Sequence, residues 1–255
     1  MTPSPTPVPP LIAIDAGHGG RDLGAVIVNE RGRIDVTESN INLALAIDLE
    51  GILLERGYRV FMVRKGDYEL NEERRDVNED GVVDYVDELQ ARVDAINEAG
   101  ADLLLSIHQN SFVWPDGSSA PDVGGTLTFY CADRSFSDKS LRFAQLVQAE
   151  ILAAFQELGH DIRDRGVLRD TEFRTAANPD AYLILLGPET KRIARPSQMP
   201  GILSEPLFLT HHEELALVKD ETARRRLSVA YADAIDAYYA SLDHANEPSD
   251  ETSSE

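Results

Sequence analysis

His18, Glu38 and His108 are the residues of this chain whose types could hold a catalytic metal. Two neutral imidazoles and one carboxylate form the donor set of a zinc site that keeps a fourth position for water. The three are far apart in the chain, yet each stands where the pattern predicts the end of a strand or the start of a helix. His18 lies in the glycine-rich turn Asp15-Ala-Gly-His-Gly-Gly20, Glu38 stands at the mouth of a helix, and His108 follows the apolar run Ala101–Ile107. Neighbouring parallel strands finish at one edge of a sheet, so side chains ninety residues apart can meet there. Gly17, Gly19 and Gly20 permit backbone conformations closed to other residues and leave room beside His18. Taken one at a time, either histidine has the plainer reading of a bystander in a turn. His160, His211, His212 and His244 compete as ligands; His211 and His212 read as surface residues at a helix start. Asp22 and Asp35 are the alternative carboxylates.

A second pattern suits a harder cation. Asp76-Val-Asn-Glu-Asp-Gly-Val-Val-Asp-Tyr-Val-Asp87 puts side-chain oxygens on Asp76, Asn78, Asp80, Asp84 and Asp87, with the carbonyl of Val82 between them. Gly81 falls where an EF-hand calcium loop makes its sharp turn. The stretch resembles a dockerin loop, which implies a structural calcium ion; the plainer reading is a solvated acidic loop.

These residues need a scaffold. Leu11–Ile14 reads as a buried strand, and Ile41, Leu45, Leu49 and Ile52 recur at helical spacing, with Thr37 or Ser39 as cap and Gly57 beyond the end. Tyr58–Val63 is expected as a strand, Leu89–Ala99 as a helix and Ala101–Ile107 as a strand. Thr126–Tyr130, residues 137–158 and Gly201–Ser204 continue as strand, helix and strand. Leu227, Ala230, Tyr231, Ala234, Ile235 and Tyr238 share one face of a last helix. Such alternation implies an α/β fold, a mostly parallel twisted sheet with helices on both faces. Residues 170–200 resist assignment and are expected to cover or line a groove. Phe112 and Trp114 mark an exposed loop after His108, placed either to stack on a ligand or to anchor the loop.

The stretch Asp15-Ala-Gly-His-Gly-Gly-Arg-Asp-Leu-Gly-Ala25, then Glu38 with Asn42 and Leu43, then Leu89, Arg92 and Asn97, then Ser106-Ile-His-Gln-Asn110, resembles the zinc-dependent N-acetylmuramoyl-L-alanine amidases of the Amidase_3 type. The resemblance runs in order from residue 11 to about 240. It implies a zinc-exopeptidase-like fold, with His18, Glu38 and His108 as zinc ligands, Glu205 as the catalytic glutamate and Asn110 on the substrate side. After that glutamate the family usually reads x-Gly-Phe-Leu-Ser-Asn, whereas here Leu207 replaces the Gly and His211 the Asn; those departures bear on pocket shape. Residues 71–88 stand where the family usually has only a short connection.

The implied reaction cuts the amide between the lactyl group of N-acetylmuramic acid and the L-alanine of the stem peptide. Zinc makes a water acidic enough to attack at neutral pH, and Glu205 would move the proton to the leaving amine. Peptidoglycan is the implied partner, at the cell envelope or outside the cell, as a bacterial autolysin or a phage lysin. A zinc peptidase on free peptides is the alternative enzyme, and a wall-binding module without catalysis the alternative class.

Composition narrows the field. With 45 acidic residues against 24 Lys and Arg, the formal charge of −21 repels nucleic acid and anionic surfaces, so any grip on a wall polymer must be local. Cys131 is the only cysteine, which excludes an internal disulfide and a thiolate cluster; it reads as a small core residue. No apolar run is long enough to cross a membrane. A length of 255 residues suits one decorated domain acting as a monomer. Residues 1–10 read as a proline-rich tether from an upstream domain, 11–242 as the catalytic domain with its insertion at 71–88, and 243–255 as a disordered acidic tail.

Overall fold

A computed structural model describes residues 8–118, 120–173 and 181–246 of the chain. Most of the proposed tether and the end of the proposed tail lie outside the described residues, as does part of the segment 170–200.

Strand β1 (Leu11–Ala16) is buried along its whole length and sits second from one edge of a six-stranded sheet. Across the sheet the order is β4 (Arg59–Met62), β1, β5 (Leu103–Ile107), β8 (Gly201–Glu205), β6 (Thr126–Tyr130) and β7 (Asp164–Arg169). The first four run parallel; β6 is antiparallel to β8, and β7 follows β6 in parallel.

Alternation along the strands sorts the core into two layers. Ile12, Ile14, Leu103, Leu105, Ile107 and Ile202 face α1 (Glu38–Glu55), α3 (Ser137–Glu157) and α5 (Glu221–Asn246). Leu45, Leu49 and Leu53 of α1 are fully buried there, each stabilising the fold by roughly 1.5–3 kcal/mol. On the other face Leu11, Ala13, Leu104 and Leu203 meet Val93 and Ile96 of α2 (Tyr85–Ala99), together with Leu185, Leu186 and Met199. Among the described residues no helix is long and apolar enough to span a membrane.

Thr37 caps α1, accepting the backbone N–H of Asn40 at 3.4 Å, which leaves Glu38 as the first helical residue. Helix α2 begins a turn before the expected Leu89. Asp84 accepts the N–H of Val86 at 2.7 Å while Asp87 accepts that of Asp84 at 2.8 Å, a capping box that the acidic run had disguised as loop. The expected Tyr58–Val63 strand is trimmed to Arg59–Met62.

Four elements were not foreseen. The strands β2 (Val26–Val28) and β3 (Ile34–Thr37) of a small hairpin are too short for periodicity to register, whereas α4 (His212–Lys219) begins at the helix start read at His211 and His212. Strand β7 is an edge strand with a glycine inside it, and a 3-10 turn (Asp170–Phe173) follows. Cys131 is buried, as expected of a core residue, and burial pushes its thiol up to about 12.

Candidate active site

The parallel strands β1, β5 and β8 all end at one edge, and the chemistry collects there. The Ile107–Ser204 pair closes the β5–β8 ladder, and the His108 N–H donates to Ser204 O at 2.9 Å, so His108 and Glu205 leave adjacent strands side by side. His18 follows β1 at φ 63°, a left-handed conformation rare for a residue with a side chain. That conformation turns its ring toward α1.

His18, Glu38 and His108 each offer a ligand atom within 4.8 Å of the others, and no other group of three His, Cys, Asp or Glu residues meets that condition among the described residues. His18 Nε2 lies 2.9 Å and His108 Nδ1 3.1 Å from the same oxygen, Glu38 Oε1. The two rings stand nearly perpendicular, 77° apart with centroids 4.8 Å from each other. Asp22 takes the far nitrogen of His18, Oδ2 to Nδ1 at 2.7 Å, which fixes that ring's orientation. The sequence offered Asp22 as an alternative ligand; here it orients the candidate ligand His18.

Glu38 is buried, which alone would raise its carboxyl; the two imidazoles overcome this and hold it well below the usual carboxylate range. The backbone N–H groups of Ala25 (3.0 Å) and Gln109 (3.1 Å) also donate to it. Burial likewise opposes charge on His18, but Asp22 and Glu38 outweigh it and raise the imidazole to about 9. A site that gathers this much negative charge around two imidazoles suits a dication.

Glycine makes the packing possible at two places. A Cβ on Gly17 would come within 2.3 Å of the His108 ring. Gly24, at φ 63°, would meet Glu38 Oε2 at 2.6 Å.

Glu205 is the half-buried last residue of β8, and the side-chain amide of Asn110 donates to its carboxylate. Burial, reinforced by the Glu38 charge, pushes this carboxyl up to about 7. It is therefore a group able to change protonation near neutral pH. Leu207 and Phe208 behind it are buried core residues.

Two buried arginines hold the turn that carries His18. Arg92 of α2 pairs with Asp15 at 2.9 Å and donates to the carbonyls of Ala16 (3.0 Å) and His18 (2.7 Å). Arg64 donates to the carbonyls of Ala16 (2.7 Å), Gly17 (3.0 Å) and Ser39 (2.8 Å), tying the strand end to the start of α1. Arg64 escaped the sequence reading, although a cation directly after an apolar strand was a signal for it. Asn42, fully buried, links Gly17 O to Glu38 Oε1 at 3.3 and 3.4 Å.

The remaining candidates lie elsewhere. His160 and His212 are exposed, and His211 caps α4 by accepting the N–H of Glu214 at 3.3 Å. Asp35 pairs with Lys219 on the surface. The side chain of His244 lies outside the described residues. A cavity of about 630 Å³ opens from His18 and His108 and is walled by Tyr85 and Val83 on one side and Leu183, Ile184 and Leu185 on another. The segment 170–200 thus lines the groove through its described part.

In the loop 76–87 the oxygens turn inward to the backbone. Asp76 accepts from Asp80 (3.1 Å) and Gly81 (2.9 Å), and Asp87 accepts from Val77 (2.7 Å) and Asn78 (3.2 Å).

A family model described as N-acetylmuramoyl-L-alanine amidase matches residues 12–237. The N-acetylmuramoyl-L-alanine amidase AmiA of Salmonella typhimurium is 25% identical, over 92% of this chain and 78% of that protein. Two solved structures are also similar. The catalytic domain of CwlV, an N-acetylmuramoyl-L-alanine amidase from Bacillus (Paenibacillus) polymyxa, shares 26% identity with a TM-score of 0.61, covering 91% of this chain and 98% of that one. AmiC2 of Nostoc punctiforme shares 25% identity with a TM-score of 0.62, covering 91% of this chain and 97% of that one.

Proposed function

The chain belongs to the N-acetylmuramoyl-L-alanine amidases of the Amidase_3 family, and on that premise we propose that it cuts the muramoyl–L-alanine amide of peptidoglycan with one zinc ion held by His18, Glu38 and His108. The observation that carries this reading is the convergence of those three ligand atoms within 4.8 Å, on the edge where Glu205 also emerges. Zinc, when bound there, would polarise the scissile carbonyl and make water a competent nucleophile at neutral pH.

The protein's own groups do the rest. Asp22 keeps Nδ1 of His18 occupied, so Nε2 is the nitrogen left for the ion. Glu205 accepts the proton of the attacking water and returns it to the leaving amine of L-alanine. Asn110 steadies the charged form of Glu205 and can reach substrate from the same position. The cavity beside the triad takes the stem peptide.

The substrate sets the place of action at the cell envelope, for a secreted autolysin or a phage lysin alike. Residues 11–242 are taken as the catalytic domain, acting as a monomer on a tether. A second, structural role falls to the loop 76–87 as a calcium site. Its spacing supports this, as do the left-handed Glu79 (φ 61°) and Gly81 (φ 87°). A cation would have to draw Asp76, Asp80 and Asp84 together, since they do not yet form a cluster of ligand atoms.

Chelation is expected to stop the release of L-alanine amino termini from purified sacculi, and added zinc to restore it. Release that continues in chelator would overturn the metal assignment.

A further inference from the structure

One wall of the cavity beside His18 and His108 is built by residues 71–88, and the charges on that wall are not all spoken for. Asp22 is taken by His18 (2.7 Å), Glu69 by Arg21 (3.0 Å), and Glu88 by Arg92 (2.7 Å). Asp84 caps α2. Arg74 is the exception: it lines the cavity, yet among the described residues its guanidinium makes no hydrogen bond or ion pair. It stands near enough to Glu69 to assist Arg21 in holding that carboxyl below its usual range, without pairing with it.

Its position is built. Arg74 sits at φ 52°, which a residue with a side chain adopts at a cost of about 1 kcal/mol. The turn is clamped by Asn71, whose carbonyl accepts the Arg74 N–H at 3.0 Å and whose side chain closes on the backbone of Arg75 at 2.8 and 2.9 Å. The Asn71 N–H in turn donates to Glu88 at 2.7 Å, Glu88 accepts from Arg92, and Arg92 donates to the carbonyl of His18 at 2.7 Å. A continuous chain of hydrogen bonds therefore fixes the wall that carries Arg74 to the turn that carries a proposed metal ligand. The hydrogen bonds fix the backbone from which this exposed side chain projects, and its unpaired guanidinium offers a fork for a carboxylate. At a formal charge of −21 the molecule as a whole repels anions, so such a ligand must be held by contact.

We propose that Arg74 is a specificity-determining residue that binds a free carboxylate of the stem peptide, the α-carboxylate of its second residue, while the L-alanine amide lies against the triad. This rests on the amidase reading above. The apolar face of Leu183 and Leu185 contacts the aliphatic part of the same peptide.

The test compares soluble muramyl tetrapeptides whose second residue carries either a free α-carboxylate or an α-carboxamide. Each is used as a substrate of the zinc-loaded protein and as a competitor of sacculus digestion, with wild type, R74Q and R74K. Wild type should favour the carboxylate by roughly fivefold, the range of a partly exposed ion pair. R74Q should abolish that preference through KM, leaving the carboxamide unchanged, and R74K should restore part of it. Equal handling of both peptides by wild type, or a preference that survives R74Q, overturns the role of Arg74. R74Q slowing both peptides alike does so too, since that marks a general structural effect. Failure of wild type to digest sacculi at all would instead strike the amidase reading.

Discussion

Glu38 Oε1 stands between two imidazole nitrogens, and that one oxygen sets much of the chemistry around it. Its charge, added to burial, keeps Glu205 protonated up to about 7. A general base must be ionised to act, so under the proposed role of Glu205 activity should rise with pH as its carboxyl loses the proton. A dication held by the triad would offset Glu38 and draw the value down, so the midpoint of the acid limb is expected at or below about 7. Asn110 works in the same direction, because its amide stabilises the carboxylate. N110L should therefore move the acid limb of kcat/KM upward by about one pH unit, the equivalent of one hydrogen bond to a charged group. A profile that loses height without moving would assign Asn110 to substrate binding alone.

At the scale of elements, the positions of the triad depend on α2 as much as on the strands. Arg92 reaches from α2 through the core to Asp15, and both are almost wholly buried. R92M would strand the Asp15 carboxylate without its partner. It should lower the unfolding free energy by about 3–5 kcal/mol in urea titrations, and D15N added to it should recover part of the loss. A change below about 1 kcal/mol would mean that the pair is dispensable.

The start of the same helix carries the calcium proposal. Calorimetry should detect calcium binding in wild type and none in a D76A/D80A variant. Identical titrations for the two would remove the loop from the metal sites. The loop also marks where sequence reading faltered. Its acidic residues fitted both a cation site and a helix cap, and Asp84 and Asp87 are seen to cap. The strand ends bearing His18 and His108 were legible, because buried parallel strands are apolar along their whole length and stop abruptly. The hairpin β2–β3 was not, since two short strands with exposed faces leave no periodicity. Arg64 escaped, and Asp22 was read as an alternative ligand and not as the partner of His18, for a different reason: a side chain that works by hydrogen-bonding a distant backbone or a ring leaves no spacing to read.

On the scale of the whole molecule, a six-stranded sheet with three helices on one face and α2 on the other delivers three strand ends to one edge. The overall negative charge contributes no long-range attraction to an anionic wall, so specificity has to come from the cavity and the ligands at its base. The proposed function there depends on two separable things, an ion that the triad would hold and a proton that Glu205 would carry. The most direct measurement takes wild type and E205Q, each assayed for bound zinc and then for L-alanine amino termini released from purified sacculi. The expected result is one zinc per chain in both, with release by E205Q reduced by roughly 10²–10⁴-fold. Full release by E205Q, or wild type that digests sacculi while carrying no zinc, would contradict it.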